Sequence, residues 1–295
     1  MKPFLKWVGG KTQILDDVIA TIPAEMQNYH ELFLGGGSIL LAVLSLQEEN
    51  KIIIHDKIYA YDLNADLINV YRNIQTNKDI LFTHIEHYIS EYDGLTGTVI
   101  NRKPKTLIEA KTSKESYYYW LRNKYNNIDK ELVECSALFM FLNKTGFRGM
   151  YRIGPNGLNI PYGHYKKTPT IITRTELDAV SKLIQPVEFI CCGCNESIQR
   201  AKEGDYVYLD PPYAPETANS FVGYTAEGFN LAAHNKLFSD IVALNNKKIK
   251  FTLSNAKVDL VTDYFKDFTI NDIMARRSIN AKKPGSKTME VLINN

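Results

Sequence analysis

Long apolar runs are missing from this chain of 295 residues. No stretch approaches the ~20 residues that a helix needs to cross a bilayer; the richest short run is 137–142, Ala-Leu-Phe-Met-Phe-Leu. The opening Met1-Lys2-Pro3-Phe4 has no apolar core of the kind a signal peptide carries. Cysteine is scarce, with 4 residues, of which Cys191, Cys192 and Cys194 cluster and Cys135 is remote. Without a second C-x-x-C to pair with 191–194 they point to neither a disulfide framework nor a zinc site. The expectation is a reducing, cytoplasmic setting, no membrane and no metal. No cysteine follows a proline, and the sequence shows no internal repeat or low-complexity tract.

An excess of charge of either sign is also nearly absent overall, at net +2, but the charge is unevenly distributed. Residues 101–174 hold 14 Lys/Arg against 5 Asp/Glu, and the remainder holds 21 against 28. A middle third this basic is the electrostatic footprint of a polyanion partner. Tyr117, Tyr118, Tyr119 and Trp120 lie inside it and read first as the packing face of a helix. Alternation and β-branched content place strands near 30–33, 58–61, 188–191, 206–209 and 249–253. Helical patterns fall between several of them, at 13–20, 38–46, 65–73 and 231–245. This alternation implies an α/β fold: an open, mostly parallel, Rossmann-like sheet with helices on both faces. The pattern breaks between about 75 and 175, where helices at 114–124 and 130–142 precede a Gly/Pro/Asn-rich stretch, 146–165. The reading is therefore a catalytic domain from 1–74 and 175–295, with 75–174 as an inserted, mainly helical region. Two strands near 268–274 and 289–293 flank a basic loop, 276–287.

Two glycine signals carry different weight. Gly9-Gly10-Lys11-Thr12 is like the end of a phosphate-binding P-loop, but that pattern needs glycine where Leu5 stands, so a nucleotide triphosphatase is disfavoured. Gly35-Gly36-Gly37 sits between a strand and a helix, where missing side chains let a ligand approach the backbone. The next strand ends in Tyr61-Asp62, an acid placed as ribose-binding acids are. Leu40 replaces the third glycine of a dinucleotide fingerprint, so the sheet suits an adenosine with a short cationic tail, namely S-adenosylmethionine. Further on, the strand at 206–209 runs into Asp210-Pro211-Pro212-Tyr213. The prolines fix φ and stiffen the turn, so acid and ring leave the strand in set directions. An exocyclic amine conjugated to a heterocycle is a poor nucleophile. Acceptors such as the Asp210 carboxylate and the Pro211 carbonyl, one against each amine hydrogen, favour its tetrahedral form, while Tyr213 stacks on the ring. Attack on a cytosine carbon would instead need a cysteine nucleophile, usually after proline.

These residues resemble the DNA adenine-N6 methyltransferases in which a cofactor motif precedes the recognition region and the catalytic motif follows it. The resemblance spans nearly the whole chain. It rests on Phe4-Leu5-Lys6-Trp7-Val8-Gly9-Gly10-Lys11, Glu31-Leu32-Phe33-Leu34-Gly35-Gly36-Gly37-Ser38, Tyr61-Asp62-Leu63-Asn64 and Asp210-Pro211-Pro212-Tyr213. It implies that Trp7, Lys11, Phe33, Gly35, Gly37, Asp62 and Asp210 bind S-adenosylmethionine. Asp210, Pro211, Pro212 and Tyr213 would then hold an adenine flipped from double-stranded DNA, and 75–174 would form the target recognition domain. Residues 142–152 resemble the family's DNA-contacting hairpin. Arg152 is implied to read guanine, Phe147 to wedge between bases, and Lys144 and Lys166 to meet phosphates, with Arg148 as a second guanine or phosphate contact. Many GATC-methylating members carry Asn in place of Arg148 and Arg in place of His164, so GATC is not fixed as the site and another short adenine-containing site such as CATG stays open. A restriction endonuclease of the same site is a candidate partner. The rival readings are a cytosine-N4 methyltransferase, where serine is commoner than Asp210, and a non-catalytic DNA-binding protein on the same fold.

Overall fold

The structure, a computed structural model, describes residues 1–214, 229–276 and 287–295. The loop expected at 214–229 and the basic loop at 276–287 lie, apart from their end residues, outside the described residues. The chain divides into two compact units. One comprises Met1–Lys2, Gly9–Leu63 and Pro186–Asn295; the other comprises Pro3–Val8 and Asn64–Gln185.

The first unit is built on a seven-stranded sheet. Its strands are β1 (Tyr29–Glu31), β2 (Ile58–Asp62), β3 (Val187–Cys191), β4 (Tyr206–Leu209), β5 (Lys250–Ala256), β6 (Thr269–Arg276) and β7 (Lys287–Asn294). They are ordered β6-β7-β5-β4-β1-β2-β3, and within the sheet only β7 runs against the others. This is the α/β, Rossmann-like class that the alternation implied. Parallel strands covered on both faces have few positions left for polar side chains, and β4 obeys this with four buried residues, Tyr206-Val207-Tyr208-Leu209. Helix Leu231–Asn246 starts at Asn230, whose Oδ1 accepts from Ala233 N–H at 2.9 Å. It presents Leu237, Phe238, Ile241 and Leu244, spaced as one helical face, to a core that includes Val207, Leu209, Phe251 and Leu253.

Strand β1 breaks the apolar rule, since His30 and Glu31 are as buried as Tyr29. Each has a partner, as buried polar groups must. His30 Nδ1 lies 3.1 Å from the Tyr61 hydroxyl and Nε2 lies 3.1 Å from Asp205 Oδ2. Burial pushes the Asp205 carboxyl up, but hydrogen bonds from His30, Asn28 and the Lys202 N–H outweigh this and leave it below the usual range. Glu31 accepts from the Tyr29 hydroxyl at 2.8 Å. Loss of water dominates there, and with the nearby charge of Asp210 it raises the Glu31 carboxyl to about 8, despite the opposing Tyr29 hydrogen bond.

The second unit is mainly helical: Ala65–Thr76, Lys78–Asp93, Lys114–Asn127, Val133–Thr145 and Arg174–Leu183. Helix Val133–Thr145 is buried from Cys135 through Asn143 and packs against three others, Ala65–Thr76, Lys78–Asp93 and Lys114–Asn127. Tyr117 and Tyr118 are core residues of this unit. A small hairpin pairs Ile153–Gly154 with Gly157–Leu158. Helices Lys78–Asp93 and Arg174–Leu183 are additional to those expected from the hydrophobic pattern, and the second carries a full capping box between Thr173 and Glu176. Among the described residues no helix is long and apolar enough to cross a membrane.

The Glu31 environment yields a stability prediction. The folded chain keeps this proton up to about pH 8, whereas the unfolded chain releases it near 4.5. Stability is therefore lost as pH rises across that interval, by up to about 1.4 kcal/mol per pH unit. Glu31→Gln retains an acceptor for Tyr29 and has no proton to lose. Its melting temperature relative to wild type should climb between pH 5 and pH 8 and then level off. A pH-independent difference in thermal melts would contradict this account.

Candidate active site

Strands β1 and β4 pair in parallel, with Tyr29, His30 and Glu31 opposite Tyr206, Val207 and Tyr208. From β1 the chain continues to β2 on one side, and from β4 it continues to β5 on the other. Such a reversal of strand order opens a crevice at the carboxyl ends, where ligands of open α/β sheets bind. Both sequence signals arrive there. The glycine turn leaves β1 with Gly35 at φ +48° and Gly37 at φ +67°, left-handed conformations that disfavour any side chain. Gly37 then caps helix Ser38–Glu48. Asp62, at the end of β2, accepts the Gly35 N–H at 2.9 Å, so the expected ribose acid and the glycine turn are directly joined. Phe33 is half-buried and meets the Phe229 ring edge-to-face, with centroids 6.4 Å apart.

Asp210 leaves the end of β4. Its carboxylate Oδ1 receives the Lys11 ammonium at 2.8 Å, with Lys11 5% and Asp210 18% exposed. Lys11 Nζ also donates to the Gly9 carbonyl at 2.9 Å and lies 4.8 Å from the centre of the Tyr213 ring. The Lys11 backbone N–H donates to Ser38 Oγ at 3.1 Å, which ties this segment to the first residue of the glycine-turn helix. Burial raises the Asp210 carboxyl, Lys11 pulls it back, and the charge of Glu290 adds to the rise; the outcome is about 6. The Tyr213 hydroxyl donates to Glu290 Oε2 at 2.6 Å, with Ser254 Oγ at 3.2 Å. Burial first, then the charges of Asp210 and Glu290, hold that phenol protonated well above its usual range. Lys11, Phe33, Gly35, Gly37, Asp62 and residues 210–213 thus all belong to the first unit. Trp7 belongs to the second, where its ring stacks on Tyr151 at 5.6 Å and Phe139 at 6.3 Å.

Three acids and hydroxyls of this site escaped the sequence reading: Glu31, Ser254 and Glu290. The glycine motif contained Glu31 without marking it as buried. Glu290 sits in an alternating terminal strand, where an acid reads as solvent-facing until β7 is known to lie inside the sheet.

In the second unit the basic residues form two populations. Arg102, Lys111, Lys114, Lys124, Lys130 and Arg174 each have a carboxylate partner. The stretch 135–175 contains no Asp or Glu at all, and among the described residues Lys144, Arg148, Arg152 and Lys166 form no ion pair. Burial, then the positive charge of Lys6, holds the Lys144 ammonium below its usual range. Phe147 is 40% exposed and Arg148, at φ +56°, places its guanidinium 5.1 Å from the Phe147 ring centre. Arg152 uses Nε and Nη2 to grip the Asn159 carbonyl, at 3.0 and 2.7 Å, across the hairpin. Its remaining guanidinium N–H groups point elsewhere. Phe147, Met150, Arg152, Asn159, Ile160 and Pro161 line a cavity of about 220 Å³. Lys166 is exposed.

Residues 7–279 match the family model of the D12 class N6 adenine-specific DNA methyltransferases. The type II methyltransferase M.MjaIII of Methanocaldococcus jannaschii is 34% identical over 96% of this chain and 94% of its own length. The type II methyltransferase M1.LlaDCHI of Lactococcus lactis subsp. cremoris is 30% identical over 100% of this chain and 95% of its own. A DNA adenine methylase of Vibrio cholerae is 28% identical over 99% of this chain and 95% of its own. With the family match running through the glycine turn, the hairpin and the Asp-Pro-Pro-Tyr turn alike, the chain belongs to the D12 class of N6 adenine-specific DNA methyltransferases.

Proposed function

We propose that this adenine-N6 DNA methyltransferase uses S-adenosylmethionine to methylate an adenine turned out of a short site in double-stranded DNA, and that residues 210–213 hold that adenine. The observation that carries the reading is the mostly buried Asp210 carboxylate, ion-paired to Lys11 at the strand-order reversal of the sheet. The chain's residues fit the cofactor: Gly35 and Gly37 clear side chains from the turn, Asp62 brings a carboxylate to it, and Phe33 offers a half-buried ring. When bound, S-adenosylmethionine supplies an electrophilic methyl group on a positively charged sulfur. Lys11 engages Oδ1 of Asp210, which leaves Oδ2 as an acceptor for one hydrogen of the adenine amine. The Pro211 carbonyl would take the other, and the Tyr213 ring, held through its hydroxyl by Glu290, would stack on the base. Such fixed acceptors favour the geometry in which the nitrogen lone pair is free to attack.

In the second unit, Arg152 would read a guanine with the guanidinium N–H groups that Asn159 does not use, and Phe147 would enter the base stack. Lys144 and Lys166 would meet phosphates, and Arg148 a guanine or a phosphate. The site is GATC-like or another short sequence such as CATG, and a restriction endonuclease of the same site is the proposed partner. Turning out a base costs a few kcal/mol, which contacts of this basic stretch would offset.

Labelled methyl transfer to unmethylated DNA, with methylated positions mapped by single-molecule sequencing, tests the whole reading; methylation of cytosine, or of no base, would overturn it. Asp210→Ala should lower transfer by at least about 100-fold while cofactor affinity falls only in part. Because an ionised Asp210 is the acceptor and its carboxyl titrates at about 6, the wild-type single-turnover rate should drop about tenfold per pH unit below that point. A flat profile from pH 5 to pH 8 would exclude the role. Arg152→Ala should relax one base of the site. Lys166→Ala should weaken binding equally on all sequences and lower the salt dependence by about one phosphate contact; the converse pattern in binding assays would exchange their roles.

A further inference from the structure

The turn at 210–213 has a structural deficit that its chemistry hides. Pro211 and Pro212 carry no N–H, so neither can donate a backbone hydrogen bond that would close the turn. Its geometry must be set from outside. Two of the supports act at its far end: Glu290 and Ser254 meet the Tyr213 hydroxyl, and Asn255 Oδ1 accepts the Ala214 N–H at 3.0 Å. A third support reaches the backbone within the tetrapeptide. His234, buried in the first turn of helix Leu231–Asn246, places Nε2 3.1 Å from the Pro212 carbonyl oxygen. Its Nδ1 lies 3.0 Å from the carbonyl of Asn230, the capping residue of the same helix. The Phe229 ring packs edge-to-face on the imidazole at 4.6 Å, and Phe238 does so at 5.9 Å.

With φ of Pro212 locked by its ring and the peptide bonds planar, ψ is the soft backbone torsion left at that residue. A hydrogen bond to the Pro212 carbonyl fixes ψ, and ψ aims Tyr213. We infer that His234 is a positioning residue for methyl transfer, with its Nε2–H holding the Pro212 carbonyl so that Tyr213 keeps its direction relative to Asp210. The inference rests on residues 210–213 being the adenine-holding turn. Since carbonyl oxygens only accept, the ring must carry a proton on Nε2 to make this bond, and the Nδ1 contact with the Asn230 carbonyl is a second bond only when Nδ1 is protonated as well. His234 touches neither the acid nor the aromatic ring of the motif directly, so its loss acts on the geometry of bound substrate.

Two amide substitutions separate the ring nitrogens. Glutamine places an N–H close to the position of Nε2, whereas asparagine places one close to Nδ1. In full-length protein on unmethylated duplex DNA, at saturating DNA and S-adenosylmethionine, His234→Asn should lower the single-turnover rate about tenfold or more. His234→Gln should stay within about threefold of wild type. Cofactor affinity by calorimetry and melting temperature should differ little between the two variants. Equal losses in both, or wild-type rates in both, would overturn the positioning role. Nitrogen-15 NMR of the histidine rings in the wild-type chain gives a check that needs no variant to fold: a neutral His234 protonated only on Nδ1 also overturns it. Asp210→Ala, assayed alongside, keeps the two readings apart. If it is as active as wild type, both fall; if it is inactive while the Asn and Gln variants behave alike, only the positioning role falls.

Discussion

The parallel pairing of β1 with β4 is the contact on which the site depends. Its register sets Glu31 opposite Tyr208, so the glycine turn beyond Glu31 and the acid turn beyond Leu209 emerge at the same edge of the sheet. The pairing of β1 with β2 on the other side brings Asp62 to the same level and lets it take the Gly35 N–H. Groups 27 and 175 residues from Gly35 in the chain thus meet by sheet geometry, without any local sequence preference for doing so. A slip of one residue in β1 would exchange the faces of His30 and Glu31 and strand two buried polar groups that now have partners.

Placing an acid at that edge is electrostatically unfavourable unless its charge is answered. Lys11 answers it, and its position is itself fixed twice, through the Gly9 carbonyl and through its own N–H to Ser38. The cation therefore joins the helix of the glycine turn to the acid of the catalytic turn. The neighbouring Glu31 is handled in the opposite way. Among the described residues no cation pairs with it, and burial keeps its proton on up to about pH 8. Two carboxyls in one crevice are thus held in different protonation states near neutrality by different surroundings, as environments that push titrations apart will do.

Much of this was legible in the chain. Strand–helix alternation sufficed for the α/β class, and the placement of Asp210-Pro211-Pro212-Tyr213 after Tyr206-Val207-Tyr208 marked the end of a strand because prolines cannot continue one inside a sheet. Gly35 and Gly37 were readable because a turn between strand and helix demands positive φ. What was illegible depended on distant pairing. His30, Glu31 and Asp205 look like surface residues until β1 is seen to be central, and Glu290 became part of the site only through the antiparallel placement of β7 beside β5. Helix Lys78–Asp93 was missed because its apolar stripe, Leu81, Ile85, Tyr88 and Tyr92, is diluted by histidine and acid on the other faces.

The surplus of positive charge shows the same dependence on context. A count over 101–174 treats every cation alike, but Arg102, Lys111, Lys114, Lys124, Lys130 and Arg174 each pair with a carboxylate of the unit. Among the described residues Lys144, Arg148, Arg152 and Lys166 form no ion pair, and the stretch 135–175 around them contains no acid. Phosphate contacts give affinity and register, while base edges give sequence, and the two need different side-chain freedom. Lys166 is exposed, as the proposed phosphate contact requires. Arg152 is fixed by the Asn159 carbonyl, which removes most of its rotational freedom before any DNA arrives. A guanidinium held in one plane can form two parallel bonds to a guanine with little further ordering. The grip on Asn159 therefore supports the proposed base reading by Arg152 rather than a general electrostatic role.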